Sequence, residues 1–254
     1  MKLSIFWYVD GVKKASGKDA LVIVDATRFS GTVSTALALG IEKVIPIAKV
    51  EDYVKYVDDR SGFVLALEYD DSRRPPYADI GNSPGGLLKM RSEGKLEGRT
   101  TMIIRSSSGS HLLSTARSLK LKNVLIGSFL NAKAVARYLV KEGFEDAAIL
   151  CAGYKRSSFA LDDYLAAGCI VSEILKLKPD VEMDEELLGA YLAYEGVLKL
   201  GISIGELILT KLKVRKDLER VGETDDAYII SQVNRYDVVP KLVGEYVVDA
   251  LKQK

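Results

Sequence analysis

The sequence predicts an α/β protein: a layered, largely parallel or mixed sheet flanked by helices, with a more helical C-terminal third. Three observations predict it. Short apolar runs rich in Val and Ile alternate with longer runs of helical period. Their spacing suits βαβ units. From Asp184 onward the helical texture dominates. The chain has 254 residues, 48% of them hydrophobic and 28% charged, which is enough to bury a core.

The opening MKLSIFWYVDG reads as a first strand; its apolar run meets Asp10 too early for a signal peptide. Ala20–Val24 is a β-branched strand, and the small residues of Thr32–Leu39 form the helix after it. Lys43–Ile47, Phe63–Leu67, Thr100–Ile104, Asn123–Ile126 and Ala147–Cys151 repeat the strand pattern. Between them, Val50–Val57, Leu87–Arg91, Leu112–Leu119 and Ala132–Lys141 carry the helical pattern, and Ala160–Leu177 follows the last. Asp184–Lys199, Ile204–Leu212 and Asp226–Val233 are further helices; Tyr236–Val239 is a strand, and Leu242–Leu251 a final element. Residues 1–254 read as one catalytic domain, with a sub-lobe boundary near Pro179 that no flexible linker marks.

Composition excludes several classes. Lys plus Arg number 36 and Asp plus Glu 35, so the net charge of +1 argues against nucleic-acid binding. No apolar run has the length of a membrane span. Two cysteines, Cys151 and Cys169, make neither a disulfide scaffold nor a cysteine zinc site. A cytoplasmic protein is expected. The two Gln and four Asn, beside abundant Lys and Glu, resemble a thermophile composition. A homodimer is compatible with the chain, although the apolar face of Leu187–Tyr194 reads as core.

In parallel α/β sheets, ligands lie beyond the carboxyl ends of the strands. Those positions hold Asp25 and Arg28; Glu68 and the loop from Tyr69 to Gly86; RSSSGSH from Arg105; GSFLN from Gly127; and CAGYKRSSFALDD from Cys151. Carboxylates at strand ends bind a hard cation. Gly and Ser at helix starts offer backbone N–H groups to an anion, and Arg grips phosphate bidentately. The mixture points to Mg²⁺-assisted chemistry on a phosphate ester. Each group also has a structural reading: Ser30 and Ser83 as helix caps, Pro84 at a first helical position, and Asp162 and Asp163 as first-turn acids. Cys151 lies five residues before Arg156 rather than the six of a thiol phosphatase loop, so it reads as packing. P-loop, dinucleotide and nucleophile-elbow motifs are absent from the sequence.

Taken in order, DATRFSGTVSTAL, LEYDD, YADIGNSP, IIRSSSGSHLL, GSFLNAKAVA and CAGYKRSSFALDDYLAAG resemble the motifs of the 2-phosphosulfolactate phosphatase family, also called the ComB family. The resemblance spans most of the chain. It implies a Mg²⁺-dependent phosphatase acting on a small phosphorylated carboxylic acid, on the route to coenzyme M. Here Leu67 and Tyr69 replace the Gly and Arg around Glu68, Ser108 replaces Asn, His111 replaces Arg and Asp162 replaces Glu.

The expectations that follow are specific. Asp25, Glu68 and Asp79 surround the metal, with Asp162 and Asp163 as further candidates. Asp25 is nucleophile or metal ligand, Arg28 holds the substrate anion, and Glu68 completes the catalytic set. Asn82, Ser83, Ser106, Ser107, Gly109, Ser110 and Asn131 bind substrate. A non-catalytic anion-binding protein, or a lyase or isomerase on the same site, is the alternative.

Overall fold

The computed structural model describes residues 1–57 and 59–253. Its first half contains β1 (Lys2–Trp7), α1 (Tyr8–Lys14), β2 (Ala20–Val24), α2 (Phe29–Ala38), β3 (Lys43–Pro46), β4 (Phe63–Leu67), α3 (Pro84–Ser92), β5 (Thr101–Arg105) and α4 (Gly109–Ser118). It continues with β6 (Val124–Gly127), α5 (Ala132–Lys141), β7 (Asp146–Cys151), α6 (Leu161–Leu177), β8 (Glu182–Met183) and α7 (Glu185–Lys199). The last part holds α8 (Ile204–Lys211), α9 (Arg215–Val221), α10 (Asp226–Ile230), β9 (Pro240–Val243) and β10 (Tyr246–Asp249).

The strands form one mixed sheet in the order β4-β5-β3-β10-β9-β6-β2-β7-β1-β8. Two parallel blocks, β4-β5-β3 and β6-β2-β7-β1-β8, flank the β9–β10 hairpin, which pairs antiparallel with both. The blocks therefore run in opposite senses across the sheet. Strand twist accumulates over so many strands, and the sheet curls around a helical layer. Val12, Phe29, Val33, Leu112 and Leu113 pack in one core with Leu21 and Ile23 of one block and Val64 and Ile104 of the other. A second core lies on the opposite face of β2 and β7, under α5, α6 and α7.

The hairpin is the main departure from the expected elements. Tyr236–Val239 is not a strand; the last two strands begin at Pro240. Pro240 lacks an N–H donor, so it suits a strand's first residue. α1 and α9, each of 7 residues, and the 2-residue β8 were not expected from periodicity. On α7, Leu187, Ala190 and Tyr194 are buried while Leu188 and Leu192 are exposed, so only one face of that helix is core. Among the described residues, no helix is long and apolar enough to cross a membrane.

Candidate active site

The carboxyl ends of β2, β4, β5 and β7 converge on one cavity of about 240 Å³. Its floor is acidic. Asp25, Glu68, Asp162 and Asp163 line it, all buried, together with Arg28, Asn82, Ser107 and Ser108. Lys155, Lys211 and Lys213 stand at its mouth, with Tyr154 and Phe159.

Asp25 follows β2 directly. Its Oδ2 accepts the Gly109 N–H at 2.8 Å, while its own N–H donates to Ser30 Oγ at 2.9 Å. The Gly109 contact requires glycine, because a Cβ there would lie 2.2 Å from the Phe29 ring. Burial, then Glu68 and Asp162, push the Asp25 carboxyl up to about 7, against the opposing pull of the Gly109 N–H and Arg28. Asp162 is raised by burial. Asp163 is raised well above its ordinary range by burial, Asp162 and Asp25. Asp163 is also a staple: Oδ1 accepts Ala26 N–H and Oδ2 accepts Gly153 N–H, each at 2.8 Å, so it ties the β2 turn to the β7 turn.

Glu68 is raised by burial, with Arg28 and the Ser107 N–H opposing. Its Oε1 accepts Ser107 N–H at 3.2 Å, and its Oε2 accepts Arg28 Nη2 at 3.1 Å. Arg105 Nη1 donates to the Glu68 carbonyl at 2.8 Å. Asn82 stands beside Glu68 and helps keep it acidic. Its own Oδ1 is buried with no hydrogen-bond partner among the described residues.

Several sequence expectations change here. Arg28 lines the cavity, yet its guanidinium is already paired, with Glu68, with Glu223 and, at 3.3 Å, with Asp226. Four backbone donors of the RSSSGS turn are engaged inside the protein. Gly109 N–H serves Asp25, Ser107 N–H serves Glu68, and Ser106 and Ser110 bond each other reciprocally, N–H to Oγ, at 3.0 Å. Ser83 caps α3, accepting Gly86 N–H at 2.9 Å, and Asp226 Oδ1 accepts both Ser83 Oγ and Gly85 N–H there. The helix dipoles of α3 and α4 thus favour the protein's own carboxylates.

Asp79 is not brought to the cavity. It accepts Leu65 N–H at 2.8 Å and pairs with Arg60 and Arg99, each at 3.2 Å. Asn131 is also elsewhere. Its Oδ1 accepts the Ser128 N–H and hydroxyl, and its Nδ2 reaches the Ile126 and Val238 carbonyls. His111 is half-buried on α4, lowered by burial and by Arg156 and Arg105. Cys151 is buried in β7 with its thiol pushed well up by burial, the opposite of a reactive thiolate.

Thr27, Tyr154, the three lysines, Asp217, Glu223 and Asp226 were not anticipated. Thr27 had a signal, two residues beyond Asp25. The others lie on short helices and loops whose proximity to the cavity depends on tertiary packing.

At the floor, four carboxylates (Asp25, Glu68, Asp162 and Asp163) gather beside the Arg28 guanidinium, which Glu223 and Asp226 also hold. Donors of this kind suit a hard divalent cation, and the unpartnered Asn82 Oδ1 adds a neutral oxygen beside them. Among the described residues, no three such side chains already stand as a metal-binding group, so a cation would draw the donors together as it bound.

Comparison with known proteins gives a consistent picture. A family profile described as 2-phosphosulpholactate phosphatase matches residues 7–245. A relative from Carboxydothermus hydrogenoformans is 32% identical over 241 residues, covering 95% of this chain and 93% of the relative. One from Caldanaerobacter subterraneus subsp. tengcongensis is 31% identical over 231 residues, 87% of each chain. One from Clostridium novyi is 28% identical over 243 residues, 95% of this chain and 97% of its own. Each of the three is named a "probable 2-phosphosulfolactate phosphatase".

Proposed function

The chain belongs to the 2-phosphosulfolactate phosphatase family, and on that premise we propose that it hydrolyses a small 2-phospho-hydroxyacid, 2-phosphosulfolactate or a close relative, with Mg²⁺. The observation that carries this reading is the buried acidic floor. Asp25 is pushed up to about 7 by burial and by its neighbours Glu68 and Asp162, a destabilised arrangement that a divalent cation relieves.

In this reading Asp25, Asp162 and Asn82 would hold the cation. When bound, it neutralises the phosphoryl oxygens and so admits a phosphate to an otherwise repulsive floor. The chain's own groups do the rest. The Gly109 N–H holds Asp25 Oδ2 and so fixes the carboxylate that lines the cavity. Thr27 and Ser107, both lining the cavity, offer hydroxyl donors to the phosphoryl group. Hydrolysis forms a bond from a water oxygen to phosphorus and breaks the bond between phosphorus and the C2 oxygen, which leaves on the hydroxyacid and takes up the proton that the water gives up. Arg28 is a positioning residue: it orients Glu68 and anchors Asp226 at the start of α10.

Phosphate release measured over a panel of phosphorylated 2-hydroxyacids, with Mg²⁺ and with EDTA, tests the proposal. Release confined to the Mg²⁺ arm, and greatest for acids phosphorylated at C2, is the expected result. Release that EDTA leaves intact, or none from any member, would overturn it.

A further inference from the structure

The mouth of the cavity has the opposite charge to its floor. Lys155 comes from the turn after β7, and Lys213 from the turn after α8. Both ammonium groups approach the ring of Tyr154, with Nζ at 5.3 and 6.0 Å from its centroid. Lys211 lines the same rim. Tyr154 is anchored, its hydroxyl donating to Asp217 Oδ2 at 3.0 Å. Asp217 cannot also neutralise both lysines, because Arg220 Nη1 already holds its Oδ1 at 3.1 Å. Neither Lys155 nor Lys213 forms an ion pair with an acidic side chain among the described residues.

The backbone that presents Lys155 is unusual. Lys155 and Arg156 have φ of 50° and 63°, after Gly153 at 75°. Non-glycine residues occupy that region at a cost, and such positions cluster at ligand clamps. Gly153 has no alternative: a Cβ there would lie 2.2 Å from the Tyr8 ring. Two unpaired cations from separate elements are thus brought over one fixed aromatic ring.

We infer that Lys155 and Lys213, seated about Tyr154, form a subsite for a second strong anion of the substrate, its sulfonate tail, while the phosphate lies at the acidic floor. The inference rests on the proposed phosphatase reading and adds the basis of its selectivity. A phosphate ester without an anionic tail gains nothing from these lysines. One with a tail gains charge-assisted contacts from ammonium groups that are otherwise unpaired.

The test compares wild type with the double variant Lys155→Gln/Lys213→Gln. Both side chains are exposed, so the fold should tolerate the change. The readout is the ratio of kcat/KM for 2-phosphosulfolactate to that for 2-phospholactate, which lacks the sulfonate. The subsite predicts that this ratio falls about tenfold, through KM rather than kcat, and that raised salt erases the difference between the proteins. An unchanged ratio would overturn the inference, whether both activities fell together or neither fell. If wild type released phosphate from neither ester, the phosphatase reading would fail. Calorimetric titration with 3-sulfolactate would then decide the subsite alone: about tenfold weaker binding in the variant supports it, and equal binding overturns it.

Discussion

Asp25 keeps one oxygen on the Gly109 N–H and lines a cavity floor crowded with acids. Its carboxyl, pushed up to about 7, holds a proton in the folded, cation-free protein at pH values where the unfolded chain has lost it. The folded state then binds more protons than the unfolded state, so stability falls as pH rises between roughly 4 and 7. Cation-free protein should therefore show a higher Tm at pH 6 than at pH 8. Asp25→Asn should make that dependence shallower and raise Tm at pH 8, as read by calorimetry in EDTA. A wild-type Tm that rises with pH over this range would contradict the assignment. Asn131 makes the opposite case. It was expected at the substrate, yet its amide is fully engaged between Ser128, Ile126 and Val238. Asn131→Ala should lower stability by about 2 kcal/mol, because two carbonyls and an N–H lose their buried partner. Its KM should stay near that of wild type at a temperature where it remains folded. A large KM increase with unchanged Tm would return Asn131 to the substrate site.

At the scale of elements, the helix starts serve the protein's own acids. The amino ends of α3 and α4 lie beside the cavity, but Asp226 takes up the first, and Asp25 and Glu68 the second. Gly109 sits where α4 meets the Phe29 ring. Gly109→Ala should cost about 1–3 kcal/mol through overpacking and abolish turnover by moving the donor of Asp25. A folded, fully active variant in a combined melting and phosphate-release assay would refute that role. The elements themselves were largely legible. β2 and β4 have the bounds the apolar pattern predicts, and α5 likewise. Strand-end logic placed Asp25, Glu68, Asp162 and Asp163 at one cavity. It misplaced Asp79, which follows a long loop and lies against Arg60 and Arg99. It also left Arg28 without its partners within the protein. The carboxylates that claim it, Glu223 and Asp226, are some 195 residues away in the chain, and periodicity carries no information about partners so remote.

At the scale of the molecule, the β9–β10 hairpin holds two parallel blocks together. Val247 pairs with Val44 and is fully buried in the core that both blocks share. Removing residues 240–254 should unpair β3 and β6 and leave two sheet edges open. The truncated chain should lose its cooperative melt and aggregate, as followed by circular dichroism and light scattering. A monomeric, cooperatively melting product would refute the hairpin's role. The sequence showed an element near the C-terminus but not its place at mid-sheet, because the hairpin's position depends on pairing with strands some 115 and 200 residues earlier. The same closure brings the strand ends of both blocks to one cavity, with acids beneath and lysines above. The central claim, that this floor works through a divalent cation at Asp25, is tested most directly by phosphate release from 2-phosphosulfolactate across a Mg²⁺ titration, for wild type and Asp25→Asn side by side. Saturable Mg²⁺ dependence is expected in wild type, and a loss of about 10³-fold or more in the variant, with a Tm no lower than that of wild type. Near-normal turnover by the variant, or wild-type turnover indifferent to Mg²⁺, would contradict it.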